Sequence, residues 1–343
     1  MKRALIAMSG GVDSSAAAYL MQREGYDCRG VMLWLFGEKE PAAAEDARRV
    51  ARTLDIPFSL VDAREAFRRE VMDYFRREYM ALRTPNPCVR CNQAIKFGLM
   101  PDLLRNFDAD VLATGHYARI RQDENGALRL LRAKNRDKDQ SYFLYALSPE
   151  QLRHIRFPLG DFADKDAVRA LAEAAGLPTA RRRDSQDVCF LPEGDYAAFL
   201  RERGERLTPG AFIDKSGKVL GRHKGLAAYT RGQRKGLGVS AAARLYVLEK
   251  DAETNTVLLG DDAELFTSAL LAEDVLLSSD APVCVSVKTR YSQREAEARL
   301  TRTAEGLRVD FSEPQRAVTP GQAVVFYDGE RVLGGGTISA YMT

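Results

Sequence analysis

The chain has little of what several protein classes require. Its 343 residues include three histidines and one tryptophan, too few imidazoles for a His-rich metal centre. The five cysteines are an odd number, and Met1-Lys2-Arg3 leads directly into a short apolar run with no secretory pattern. Both features argue against a disulfide-framed secreted domain, and reduced thiols in the cytoplasm are expected. No apolar run approaches the ~20 residues that span a bilayer, so no membrane association is expected. There is no internal repeat and no low-complexity tail. The terminal Gly-Lys-Ser/Thr of the Walker loop is missing, as is the spacing of the dinucleotide fingerprint.

What is present is ordinary for a globular protein with a core: 45% hydrophobic and 29% charged residues. The length suggests two or three domains. A net charge of +3 hides an asymmetry. Residues 201–250 carry twelve Lys/Arg against four Asp/Glu, a local +8 that leaves −5 elsewhere. Such a block is a footprint for a polyanion, although charge alone is more often a solvated face.

The N-terminal part alternates strand and helix. Ala4–Met8, Gly30–Leu35, Phe58–Val61 and Val111–Thr114 read as buried strands, with helices over Ala42–Leu54 and Arg64–Leu82. This predicts an α/β, doubly wound parallel sheet, whose ligands bind at the carboxyl ends of strands. Asp123-Glu124-Asn125-Gly126 between two alternating runs predicts a hairpin. From about residue 205 glycine turns multiply and helix signals fade, which predicts a small β-rich domain and then a C-terminal β-barrel. The expected division is 1–200, 201–265 and 266–343.

Two strings carry chemistry. Ser9-Gly10-Gly11-Val12-Asp13-Ser14-Ser15 joins a strand to an alanine-rich helix. Glycines let the backbone approach a phosphate, and the first free N–H groups of the helix point at it. Ser14 and Ser15 are expected to add hydroxyl donors and Asp13 to hold magnesium. The string is similar to the pyrophosphatase loop of the N-type ATP pyrophosphatases. Leu33 and Gly115 fall at other strand ends, where one nucleotide can touch them too.

The second string is Thr84-Pro85-Asn86-Pro87-Cys88-Val89-Arg90-Cys91-Asn92. Its prolines disfavour helix on the approach, and Cys-x-x-Cys follows where a helix is expected to begin. The helix N-terminus and Arg90 are expected to lower a thiol pKa. A thioredoxin-like pair lacks its surrounding pattern, and zinc lacks ligands. Sulfur chemistry or an iron–sulfur site with Cys189 as third partner fits best. Cys28 and Cys284 lie in apolar strand-like stretches and are expected in the core.

Together with Thr114–Tyr117, Lys138–Leu144, Asp184–Phe190 and Tyr229–Gly238, these strings resemble the bacterial tRNA-specific 2-thiouridylases over essentially the whole chain. The resemblance implies a sulfurtransferase that uses ATP and Mg2+ to 2-thiolate the wobble uridine of Lys, Glu and Gln tRNAs. It implies ATP contacts at Ala7, Met8, Ser9, Gly10, Gly11, Val12, Asp13, Ser14, Leu33 and Gly115. It makes Cys91 the nucleophile and Cys189 the persulfide carrier, closing a Cys91–Cys189 disulfide during turnover. Asn86, Pro87 and Cys88 fall at positions that face the target base. His116, Lys138, Asp139, Gln140, Arg290, Tyr291 and Gln322 fall at tRNA-contacting positions. The better-known members carry an aspartate where this chain has Cys88, which favours Cys88, Cys91 and Cys189 as ligands of a 4Fe-4S cluster over the simple persulfide route. An upstream sulfur donor, a cysteine desulfurase or sulfur-relay protein, is an expected partner. The rival reading is an amidating or ligating ATP pyrophosphatase acting on a small metabolite, which leaves the cysteines and the basic block without a role.

Overall fold

A computed structural model describes residues 1–182, 188–191, 195–240 and 243–342. The chain forms two compact units, Met1–Met72 with Cys88–Gln186 and Gly329–Val332, and Asp73–Pro87 with Asp187–Asp328 and Leu333–Thr343.

The first unit is built on β1 (Arg3–Ala7), β2 (Asp27–Trp34), β3 (Phe58–Asp62), β4 (Val111–Thr114) and, beyond the hairpin β5 (Ala118–Gln122) and β6 (Leu128–Arg132), the short β7 (Ile155–Arg156). The sheet order is β3-β2-β1-β4-β7 and every pairing is parallel. Ala4, Leu5 and Ile6 are at most 1% exposed, as expected of a central strand covered on both faces. In helix α1 (Val12–Arg23) Ala16, Ala17 and Ala18 are all fully buried; Ala18 joins the core of the sheet, and Ala16 packs on another face with Tyr117, Leu159 and Val168. Helix α2 (Ala42–Thr53) buries Ala44, Ala47, Val50 and Ala51 in the same core. The sheet turns from β2 on one side of β1 to β4 on the other, so the loops leaving β1 and β4 border one crevice.

The single helix expected over Arg64–Leu82 is instead three consecutive pieces. Arg64–Phe67 and Asp73–Met80 are α-helical, and Arg68–Met72 between them is a π-turn. The extra residue of a π-turn rotates the helical segment downstream of it, and the boundary between the two units falls at its end.

The second unit holds two β structures. A four-stranded sheet in the order β10-β11-β8-β9 is made of β8 (Gly210–Ile213), β9 (Val219–His223), β10 (Tyr246–Asp251) and β11 (Thr256–Gly260). Phe212, Tyr229, Val247, Val257 and Leu259 fill its core. The barrel comes next, with β12 (Phe266–Leu277), β13 (Cys284–Lys288), β14 (Ala296–Thr303), β15 (Gly306–Arg316), β16 (Ala323–Asp328) and β17 (Arg331–Met342). Its order is β12-β15-β14-β13-β16-β17, and pairing of β12 with β17 closes it. The α/β doubly wound sheet followed by β-rich and barrel parts is the architecture expected from the sequence.

Of the two cysteines expected in the core, Cys28 is buried and Cys284 is exposed. Val285 and Val287 take the inward positions of β13, and alternation along a strand turns Cys284 outward. Burial and neighbouring Asp27 push the Cys28 thiol up to about 11.

Candidate active site

The loop after β1 is organised by its own hydroxyls. The Ser9 N–H donates to Ser14 Oγ (3.1 Å), and Ser14 Oγ donates to the Gly11 carbonyl (3.0 Å). Ser15 Oγ donates to the same carbonyl (2.9 Å) and accepts from Thr179 Oγ1 (2.8 Å). Ser14 and Ser15 are buried. These two side chains tie the loop together. Gly11 caps α1 without a side chain, leaving first-turn N–H groups for an anion.

Asp13 is gripped from two distant parts of the unit. Lys165 Nζ donates to both of its carboxylate oxygens at 2.6 Å, and Tyr117 Oη donates to Oδ1 at 2.8 Å. The Lys165 side chain is only 12% exposed. Lys165 opens a helix, Lys165–Ala174, capped by Asp164, whose carboxylate accepts from the Ala167 N–H. One carboxylate suffices for a magnesium ion that arrives on ATP phosphates, and Asp13 fits that task once Lys165 exchanges partners. Gly115, at the end of β4, lies against this backbone: a Cβ there would stand 2.7 Å from the Asp13 carbonyl carbon and 2.8 Å from the Ser14 nitrogen. Leu33 is half-buried at the end of β2.

The Cys-x-x-Cys segment forms the short helix Pro87–Cys91, followed by a π-turn, Asn92–Lys96. Cys91 is buried and Cys88 exposed. Arg90, expected to lower their pKa, turns to Glu70. Burial pushes both thiols up, although Cys88 shows part of its surface, because the protein crowds the remainder. Lys96 is the cation that opposes this rise at both. Its Nζ lies 3.5 Å from His116 Nε2, while His116 Nδ1 lies 2.8 Å from Thr114 Oγ1. An ammonium only donates, so Nε2 accepts and Nδ1–H donates to Thr114. Burial, then Lys96, holds the His116 pKa well below its usual value, and Phe97 and Phe157 flank the ring.

All five cysteines are free thiols. Among the described residues, no group of three or more His, Cys, Asp or Glu side chains is placed to hold a metal ion. Of the three cysteines expected to hold a cluster, Cys88 and Cys91 belong to the first unit and Cys189 to the second, and no step is assigned to a cluster. No helix among the described residues is long and apolar enough to cross a membrane.

The profile of the tRNA methyl transferase HUP domain matches residues 2–193, that of the tRNA methyl transferase PRC-barrel domain residues 197–261, and that of the aminomethyltransferase beta-barrel domain residues 269–338. The tRNA-specific 2-thiouridylase MnmA of Moorella thermoacetica is 46% identical over 354 residues, covering 98% of this chain and 99% of the relative. That of Clostridioides difficile is 43% identical over 354 residues, covering 98% of each. That of Clostridium perfringens strain 13 is 41% identical over 358 residues, covering 99% of each. The chain belongs to the tRNA-specific 2-thiouridylase family. Its members are sulfurtransferases, and the loop after β1 lies within the part of the chain that the HUP-domain family matches.

Several positions that a 2-thiouridylase is expected to turn toward tRNA are engaged inside this chain. Asp139 is buried and accepts from the Ala133 N–H (2.9 Å) and from Ser141 Oγ (2.8 Å). Gln140 Oε1 accepts from the Tyr117 N–H (3.0 Å). Lys138 is half-buried. In the second unit Arg290 Nη2 donates to Thr319 Oγ1 (2.6 Å) and to the carbonyls of Arg231 (3.2 Å) and Ala317 (3.3 Å). Gln322 Nε2 donates to the carbonyls of Thr84 (2.8 Å) and Pro85 (3.2 Å), directly before half-buried Asn86 and buried Pro87. Tyr291 is 36% exposed, with Lys288 over its ring. Cys189 is exposed, and residues 183–187 of its string lie outside the described residues.

Of two lysines in the site, Lys96 belongs to Ile95-Lys96-Phe97, in which the resemblance carried by Thr84–Asn92 continues, whereas Lys165 is marked only by following an N-cap aspartate; neither signal names a partner. Arg231, part of the 201–250 basic block whose charge suggests a polyanion, is buried: its guanidinium bonds the carbonyls of Leu248 and Leu265 and lies 4.0 Å from the Tyr341 ring centroid. Its neighbours Arg234 and Lys235 are exposed.

Proposed function

We propose that this chain 2-thiolates the wobble uridine of Lys, Glu and Gln tRNAs, with ATP as activating substrate. The observation that carries the reading is the serine-locked loop at the β1/β4 crevice, in a chain that matches 2-thiouridylases over 98% of its length. The uracil O2 attacks the α-phosphorus of ATP, forming an O–P bond and releasing pyrophosphate. Magnesium carried by ATP, which Asp13 would help to hold, supplies positive charge to the departing pyrophosphate. First-turn N–H groups of α1 stabilise the same charge.

Sulfur then reaches C2 as a persulfide on Cys189. Its terminal sulfur attacks C2 and AMP leaves. The Cys91 thiolate attacks Cys189 Sγ, forming the Cys91–Cys189 disulfide. The electron pair of the broken S–S bond returns to the sulfur on C2, and N3, which gave up its proton when O2 was adenylated, takes one back to complete the neutral thiocarbonyl. A thiol reductant then reopens the disulfide, and a sulfur donor recharges Cys189. The base leaves the anticodon stack to be reached. Exposed Arg234 and Lys235 in the basic segment grip backbone phosphate.

Pyrophosphate release with and without purified tRNA tests the reading. Strict dependence on tRNA, with 2-thiouridine in the product, is expected. Release that ignores tRNA and depends on a small amine or acid substrate would replace it with a metabolite-ligating activity.

A further inference from the structure

The ATP loop offers phosphate two consecutive peptides, Gly10–Gly11 and Gly11–Val12. In a trans peptide the carbonyl and the following N–H point in opposite directions. Whatever pins each carbonyl therefore decides where the next N–H is aimed. The Gly11 carbonyl is pinned from within the loop by the Ser14 and Ser15 hydroxyls at 3.0 and 2.9 Å, so the Val12 N–H is directed by the sequence string itself. The Gly10 carbonyl has a different holder. Arg182 Nη1 donates to it at 2.9 Å from 172 residues away.

Gly10 is the residue most in need of a holder. Its φ is +72°, and a Cβ there would collide with the Ala43 carbonyl at the start of α2. Only glycine fits, and the adjacent glycine leaves the Gly10–Gly11 peptide with little steric preference against flipping. A flipped peptide would put a carbonyl oxygen where the Gly11 N–H should meet a phosphate. Among the described residues that N–H has no protein partner. Arg182 is itself held, by an ion pair with Asp46 of α2. Its charge is thus neutralised within the protein, and its geometry serves the carbonyl.

We infer that Arg182 is a positioning residue of the nucleotide site, which keeps the Gly11 N–H aimed at the pyrophosphate portion of ATP by anchoring the Gly10 carbonyl. The inference rests on the ATP-loop reading above and deepens it: it assigns the pyrophosphate half of the ligand, not the adenosine half, to this anchor.

Titration calorimetry of the full-length protein with inorganic pyrophosphate, and separately with adenosine, tests it. Arg182→Met should weaken pyrophosphate binding about ten- to a hundredfold, the range of one hydrogen bond from a charged donor, and leave adenosine binding within about twofold. Arg182→Lys should restore part of the loss. Asp46→Asn, which removes the ion pair but not the carbonyl anchor, should change pyrophosphate binding less than Arg182→Met does. Equal loss for both ligands, or unchanged pyrophosphate binding by Arg182→Met, overturns the inference. Should Arg182→Met fail to fold, Arg182→Gln and Arg182→Lys carry the same comparison. Wild-type protein that binds pyrophosphate but releases none from ATP with tRNA would defeat the proposed function while leaving this anchor testable.

Discussion

Lys165 and Asp13 form a two-pronged contact, with the ammonium 2.6 Å from each carboxylate oxygen. The acid of the loop after β1 is therefore neutralised within the protein, and a nucleotide bound there as proposed would exchange this partner for its own charges.

Lys165→Met should lower stability by about 1–3 kcal/mol, since it strands a half-buried carboxylate. It should also reduce pyrophosphate release, and Asp13→Asn alone should abolish adenylation while nearly sparing tRNA affinity. In urea denaturation, the Asp13→Asn/Lys165→Met double variant should lose less than the sum of the two single variants. Additive losses would mean that the pair is not coupled.

His116 should stay neutral between pH 6 and 8, because burial and Lys96 depress its pKa. The unfolded chain takes up a proton near the ordinary histidine value of ~6.5, whereas the folded protein does not until lower pH. The fold therefore loses stability as pH falls below ~6.5, down to the depressed folded pKa. Nitrogen chemical shifts should report a proton on Nδ1 throughout that range. His116→Gln should flatten this part of the pH–stability curve, and an unchanged curve would refute the assignment.

Within the basic block, Arg231 and its neighbours should behave differently. Arg234→Ala/Lys235→Ala should reduce the slope of log tRNA affinity against log salt, by up to roughly 0.9 for each phosphate no longer neutralised, with little change in stability. Arg231→Ala should instead cost at least about 1.5 kcal/mol, because it removes buried charged hydrogen bonds and stacking on Tyr341. Denaturation midpoints and salt-dependent filter binding separate the two effects.

Thiol labelling should rank the cysteines. Exposed Cys284 should react with iodoacetamide well before Cys28, whose thiol is buried and raised to about 11. Cys88 and Cys91 should label slowly at pH 7 and faster toward alkaline pH, since burial raises both. Cys91→Ser should lose thiolation but keep tRNA-dependent pyrophosphate release. Anaerobically purified protein should show full activity without stoichiometric iron or acid-labile sulfide, and iron that co-varies with activity would reinstate a cluster.

The strand–loop–helix at Ala4–Met21 was legible because apolar runs, glycines and alanines each have one dominant use there. The β character of the chain after residue 205 was legible from its glycine turns and fading helix signals. The fate of charged side chains was not. Arg231 finds Tyr341 110 residues away and Asp13 finds Lys165 152 residues away, so no local window contains both partners. A buried arginine and a solvated one are the same letter, and only the tertiary fold decides which carbonyls need a donor. The exposure of Cys284 turned on a single-residue choice of face that flanking apolar residues do not determine.

Gly115 leaves no room for a methyl group between the end of β4 and the backbone of Asp13 and Ser14. That contact is a rigid joint, without the slack that side chains would supply. Any ångström-scale shift of the loop after β1 must therefore pass to residue 115 and to its immediate successors, His116 and Tyr117. The first of these contacts Lys96 beside the cysteine pair, and the second contacts Asp13 itself. A nucleotide held there as proposed would in this sense be geared to the Lys96–His116 pair, through a gap one carbon atom too narrow to yield.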